Sequence, residues 1–189
     1  MRRKWVLSAK AFTLVFAALI VLLVLGCSSQ STGTTPGAPV PAQPAAESPK
    51  DASYEIEGRS VGLANGVSEV EAAPGSASKI ATRYFGNEAT GDLNGDGTPD
   101  VAFLLTQNSG GSGTFYYAVV AVKTNGGYRG TNAVLLGDRV APQTTEIRSG
   151  RLIVNYAERK PGEPMTASPS VGVSKYLKIV NDRLIAESP

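Results

Sequence analysis

Nine consecutive residues, Asp92-Leu93-Asn94-Gly95-Asp96-Gly97-Thr98-Pro99-Asp100, hold the densest hard-oxygen chemistry in the sequence. Calcium takes roughly six to eight oxygen ligands from carboxylates, carbonyls and water. Oxygens at the alternating positions 92, 94 and 96 can converge on one point. Gly97 permits the sharp turn that brings in the Thr98 carbonyl, and Asp100 closes the site directly or through water. The spacing therefore nominates Asp92, Asn94, Asp96, Thr98 and Asp100 as metal ligands, with calcium as a structural cofactor. Glu88 is the neighbouring carboxylate placed to complete the shell. The competing reading is an Asp/Asn/Gly turn whose side chains cap their own backbone. Three carboxylates crowded without a cation repel, so calcium is expected to stabilise the fold.

The pattern D-x-N-x-D-G-x-x-D resembles the calcium loops of integrin-type FG-GAP repeats, of dockerins and of EF-hands. At the twelfth position an EF-hand has a bidentate Glu and this chain has Phe103. A β-type run follows the loop where an EF-hand has a helix. The closer resemblance is thus the FG-GAP type, in which the loop joins two strands.

Other catalytic chemistry is thin. The chain has 189 residues, no His and one Cys. Without His, Ser-His and Cys-His nucleophile systems are excluded, along with most zinc sites. Glu146 and Glu158 fall on separate β-type runs, and nothing in the sequence pairs them as an acid-base couple. The glycine-rich Ser109-Gly110-Gly111-Ser112-Gly113 precedes a strand-like run, where a phosphate loop needs a helix, so it reads as a hairpin loop. Leu136-Gly137-Asp138-Arg139 reads as a turn with a local ion pair. No catalytic residue is nominated.

The single Cys has a different context. Residues 1–4 are basic, and residues 11–25 form an apolar run broken only by Thr13. That run spans roughly 22 Å as a helix, short of the ~30 Å hydrocarbon core. It ends in Val24-Leu25-Gly26-Cys27, which looks like a lipobox. The resemblance implies cleavage before Cys27 and lipidation of its sulfur and its new amine. Several acyl chains at ~0.8 kcal/mol per buried CH₂ anchor a protein stably. Ser28, where an Asp is absent, resembles lipoproteins sent to the outer membrane of a two-membrane cell, with the protein facing the periplasm. The alternative is an uncleaved anchor helix.

The elements that must position the loop follow. Residues 27–53, the lipidated Cys and a segment rich in Ser, Thr, Ala and Pro, read as a disordered tether. Residues 54–187 read as one domain. Asn65-Gly66, between residues 60–63 and 67–71, signals a hairpin. Residues 101–106 form a compact apolar run, and residues 114–123 are apolar on both alternating faces, as in a central strand. Further short runs at 133–136, 144–148, 151–156, 175–180 and 183–185 are divided by Asn125-Gly126, Ser149-Gly150 and Asn181-Asp182. Pro161, Pro164 and Pro169 mark a long loop. No stretch after residue 53 shows capped helical periodicity. The expectation is an all-β, single antiparallel domain of seven to nine strands, sandwich or barrel-like. Phe115, Tyr116 and Tyr117 read as core and cross-strand packing in preference to a binding face.

Four of the 18 basic residues and none of the 16 acidic ones lie in residues 1–26, so the remainder carries 14 against 16, a net −2. With no basic cluster, nucleic-acid binding has little support. The string GDLNGDGTPDVAFLLTQNSGGSGTFYYAVVAV with the later LLGDR resembles a recurrent domain of uncharacterised bacterial envelope lipoproteins. That resemblance implies location and fold, and no activity. The expected function is a non-catalytic, membrane-anchored module binding an envelope protein or glycan, with no small-molecule cofactor. The alternatives are a structural spacer or assembly accessory, and a carboxylate/calcium-dependent hydrolase.

Overall fold

A computed structural model describes residues 44–187. The expected signal peptide, Cys27 and most of the expected tether lie outside the described residues. Twelve strands run β1 (Ser53–Ile56), β2 (Arg59–Gly62), β3 (Val67–Glu71), β4 (Lys79–Gly91), β5 (Asp100–Asn108), β6 (Phe115–Thr124), β7 (Gly127–Gly130), β8 (Val134–Asp138), β9 (Ala141–Arg148), β10 (Arg151–Glu158), β11 (Val171–Val180) and β12 (Arg183–Ala186). All pair antiparallel, and the one helical element among the described residues is a single 3₁₀ turn at Pro49–Asp51. The domain is all-β, and among the described residues no sheet closes into a barrel.

Three layers result. The central sheet has the order β3-β4-β5-β6, with β7 and β8 sharing the far edge of β6 end to end. On one side of it lies the meander β9-β10-β11-β12, on the other the short hairpin β1-β2. Successive residues of β5 and β6 therefore point into different cores. Ala102, Leu104, Ala118, Val120 and Val122 meet Leu152, Val154, Tyr156, Leu177 and Leu184 of the meander. Phe103, Leu105, Tyr117, Val119 and Ala121 meet Ala52, Tyr54, Ile56 and Leu63 of the hairpin layer. This is why residues 114–123 show no polar alternation: a strand covered on both faces has no wet side. Tyr117 is core, as expected, and the exposed Phe85 packs edge-on against Tyr116 with ring centroids 5.2 Å apart.

The strands number twelve among the described residues, where seven to nine were expected, because β4 and the short β1 and β7 carry weak local signatures. Two further expectations need correction. Asn65-Gly66 does make a tight turn, with φ of +51° and +81°. It closes a single antiparallel bridge, Ala64 with Val67, and goes no further as a hairpin, because β2 pairs with β1 and β3 with β4. The turn carries the chain from the outer layer into the central sheet, so its two flanks belong to different layers. The second concerns the tether, which ends sooner than residue 53. Ala46 exchanges two backbone hydrogen bonds with Tyr128, at 2.8 and 2.7 Å, and Ala52 is buried. Small residues let this stretch lie flat on β7, and the Tyr54 hydroxyl donates back to the Pro49 carbonyl at 2.6 Å.

Asn132, between β7 and β8, ties the layers together. The backbone on either side of it bonds Glu55 of β1. Its side-chain amide donates to the Leu184 carbonyl at 2.9 Å and accepts from the Leu184 N–H at 2.8 Å, imitating a strand partner for β12.

Candidate functional site

The 92–100 loop joins β4 to β5, and its flanking strands enter the middle of the central sheet. Gly95 and Gly97 both have φ of +82°, the left-handed conformation that glycine adopts without steric cost. Those two turns fold the loop back so that its backbone N–H groups face its own side chains. Asp92 accepts from Gly95 N–H at 2.7 Å and from Gly97 N–H at 2.9 Å. Asn94 Oδ1 accepts from Asp96 N–H, and its amide donates to Asp96 Oδ2 at 2.9 Å. Asp96 Oδ1 accepts from Thr98 N–H at 2.7 Å. Asp92, Asn94, Asp96 and Thr98 thus form one exposed hydrogen-bonded cluster.

Asp100 stands apart. It heads β5, is wholly buried, and accepts from Leu93 N–H at 3.1 Å and Lys123 N–H at 2.9 Å. It braces the loop from beneath and stitches it to β6. Burial pushes its carboxyl up from the ordinary carboxylate range, the Lys123 and Leu93 N–H groups oppose this, and the charges of Asp96 and Asp92 add to the rise. Asp96 moves the other way, held down chiefly by the Asn94 amide and then by the Thr98 N–H. Glu88 is engaged elsewhere: burial and the neighbouring Glu88 carboxylate push the Tyr84 hydroxyl up to about 12.

Among the described residues, no three His, Cys, Asp or Glu side chains converge as a metal-holding group. The donor set is nevertheless of the right chemistry. Each ionised carboxylate offers about four lone-pair directions, and the hydrogen bonds above use only part of that capacity. No ion pair engages Asp92, Asp96 or Asp100 among the described residues. Held as described, the loop is also a complete self-capping turn, the competing reading of its sequence.

Two cations that the sequence did not single out face this loop across a shallow depression of about 450 Å³. Lys123 carries its ammonium 4.1 Å from the Tyr128 ring centre, and Arg129 pairs with Asp182 at 2.8 Å. They come from β6 and β7, and their sequence distance from residue 96 hid the association. The remaining sequence candidates have local partners. Asp138 pairs with Arg139 at 3.0 Å and accepts from Thr114 N–H. Glu146 pairs with Arg148 on its own strand. Ser109 to Gly113 connect β5 to β6 as a hairpin loop. No protein-family model, curated protein or solved structure matches the chain.

Proposed function

We propose that this chain is a lipid-anchored protein of the bacterial envelope whose β domain is a non-catalytic binding module stabilised by calcium. The observation that carries the reading is the order of segments: a basic start, an apolar run too short to span, Val24-Leu25-Gly26-Cys27, a Pro/Ser/Thr/Ala tether, then a rigid β body. Such an arrangement holds a folded domain near a bilayer and lets it sample partners there. No helix of the described residues is long and apolar enough to cross a membrane.

Calcium enters through Asp92, Asn94, Asp96 and the Thr98 carbonyl, with Asp100 as the buried brace or a ligand through water. Its chemistry there is charge neutralisation. The upward push that Asp92 and Asp96 exert on Asp100 supports this, because a cation between them would relieve that repulsion. The partner is an envelope protein or glycan.

Replacing Cys27 with Ser tests the anchor. The variant is expected to lose radiolabelled palmitate and to leave the membrane fraction of cells. Unchanged mass and membrane retention in the variant would overturn the reading. Crosslinking in intact cells tests the binding role. If the only species captured is the monomer, the spacer alternative replaces it.

A further inference from the structure

The β1-β2 hairpin covers only part of the central sheet, and where it stops short a cavity of about 440 Å³ opens against β3, β4 and β5. That volume lies within the range of small-molecule and peptide-end pockets, roughly 300–1,000 Å³. Its apolar walls are Val61 of β2, Val70 of β3 and Ile80 of β4. Val70 is 54% exposed and stands opposite Ile80 in the β3-β4 register, so apolar surface lies open at the mouth of the cavity.

The floor is polar. Thr82 and Gln107 are 1% and 8% exposed, and Gln107 Nε2 donates to Thr82 Oγ1 at 3.0 Å. That bond occupies one amide hydrogen of Gln107 and one lone pair of Thr82, and both side chains keep further donor and acceptor capacity. The floor can therefore hydrogen-bond a ligand that carries both a donor and an acceptor. At the rim stands Arg59, whose guanidinium makes no ion pair or hydrogen bond with any described residue. The nearby Glu57 is engaged by the Tyr117 hydroxyl at 2.9 Å.

We infer that this cavity binds the C-terminal end of a peptide carrying an apolar last residue. The free carboxylate meets Arg59, the apolar side chain lies among Val61, Val70 and Ile80, and the peptide amide serves Gln107 and Thr82. A simple aliphatic acid satisfies the cation and the walls but makes no use of the polar floor. A neutral sugar satisfies the floor alone. This inference deepens the binding-module reading and rests on it.

The test uses the full chain in lipid nanodiscs, with acetyl-Gly-Val-Val as the free acid, the same peptide amidated, and isovalerate as the aliphatic acid. Binding is read from nuclear magnetic resonance shifts of the Gln107 side-chain amide and the Val61 and Val70 backbone. The free acid is expected to bind about tenfold more tightly than the amide, the worth of one charge-assisted hydrogen bond. Arg59→Gln, an exposed change that leaves the fold intact, should erase that difference. Ile80→Trp should fill the cavity and abolish the shifts, and Arg59→Gln decides the matter if the Trp variant does not fold. Equal binding of acid and amide, isovalerate binding as tightly as the peptide, or no shift at millimolar peptide would each overturn the inference. Crosslinks in cells that map elsewhere and survive Arg59→Gln would sink the pocket while leaving the binding module standing.

Discussion

Gly130 and Gly172 form a matched pair for testing the three-layer packing. Both sit in strands, β7 and β11, and alanine at either removes about the same backbone entropy from the unfolded chain, worth ~0.4–1 kcal/mol of stabilisation. They differ in what a methyl group meets. At Gly172 nothing lies within 4 Å of an added Cβ. At Gly130 the Cβ would stand 2.2 Å from the Ser53 carbonyl oxygen and 2.6 Å from the Tyr54 ring. Neither neighbour gives way easily. Ser53 O is backbone, and Tyr54 is fully buried against Phe103 with its hydroxyl fixed on Pro49. Overpacking of this kind costs about 1–3 kcal/mol, and two rigid neighbours place it at the upper end. Set against the entropic gain, Gly130→Ala should lose about 2 kcal/mol net, which for a domain of this size lowers Tm by about 8 °C. Gly172→Ala should raise Tm by about 2 °C. Thermal melts followed by circular dichroism measure both, and hydrogen exchange should show the loss concentrated in β1. A Gly130→Ala melt within about 2 °C of the parent would refute the close docking of β1 on β7.

Asn132→Ala removes both hydrogen bonds to Leu184 and should cost about 2–3 kcal/mol in denaturant titration; Asn132→Asp keeps the acceptor but sets a carboxylate against the Leu184 carbonyl, so it should not rescue. Millimolar calcium should raise Tm relative to chelator, and Asp96→Asn should shrink that difference; identical melts in calcium and chelator would remove calcium from the account. The Arg139 hydrogen bond, with help from the Thr114 N–H, holds the Asp138 carboxyl below its ordinary range despite partial burial. Its contribution is therefore present above about pH 4 and lost as pH falls through the depressed value, so Asp138→Asn should lower Tm at neutral pH and converge with the parent in acid.

The legible parts of this fold were those with a strong local signature. Residues 114–123 announced a doubly covered strand because two cores demand apolar side chains on both faces, and β6 has them. Ser149-Gly150 and Asn181-Asp182 marked true hairpins because their residues accept positive φ, here +50° and +71°, and +50° and +62°. β4 was missed. Bulges near Gly86 break its pairing register and its alternation, and Arg83, Asn87 and Glu88 dilute its apolar content. Pairing between non-adjacent segments also left no trace, so Asn65-Gly66 gave its turn but not its destination. At the loop, the spacing identified the cluster of residues 92 to 98. Only the fold shows Asp100 turning inward, because the Lys123 N–H that holds it comes from another strand. The pocket floor was hidden for the same reason, since Thr82 and Gln107 meet only across the β4-β5 register.

The first foothold among the described residues has a mechanical consequence. Among the described residues the chain first pairs with the body at Ala46, which exchanges two backbone hydrogen bonds with Tyr128 and packs at the edge of the hairpin-side core. Tension arriving from a membrane attachment would meet that pair first, then the Pro49–Asp51 turn, and only afterwards β1 and the buried Tyr54. The joint would act as a weak link in series. It would yield under small forces, lengthening the leash by a few residues, and so spare the layers behind it from shear.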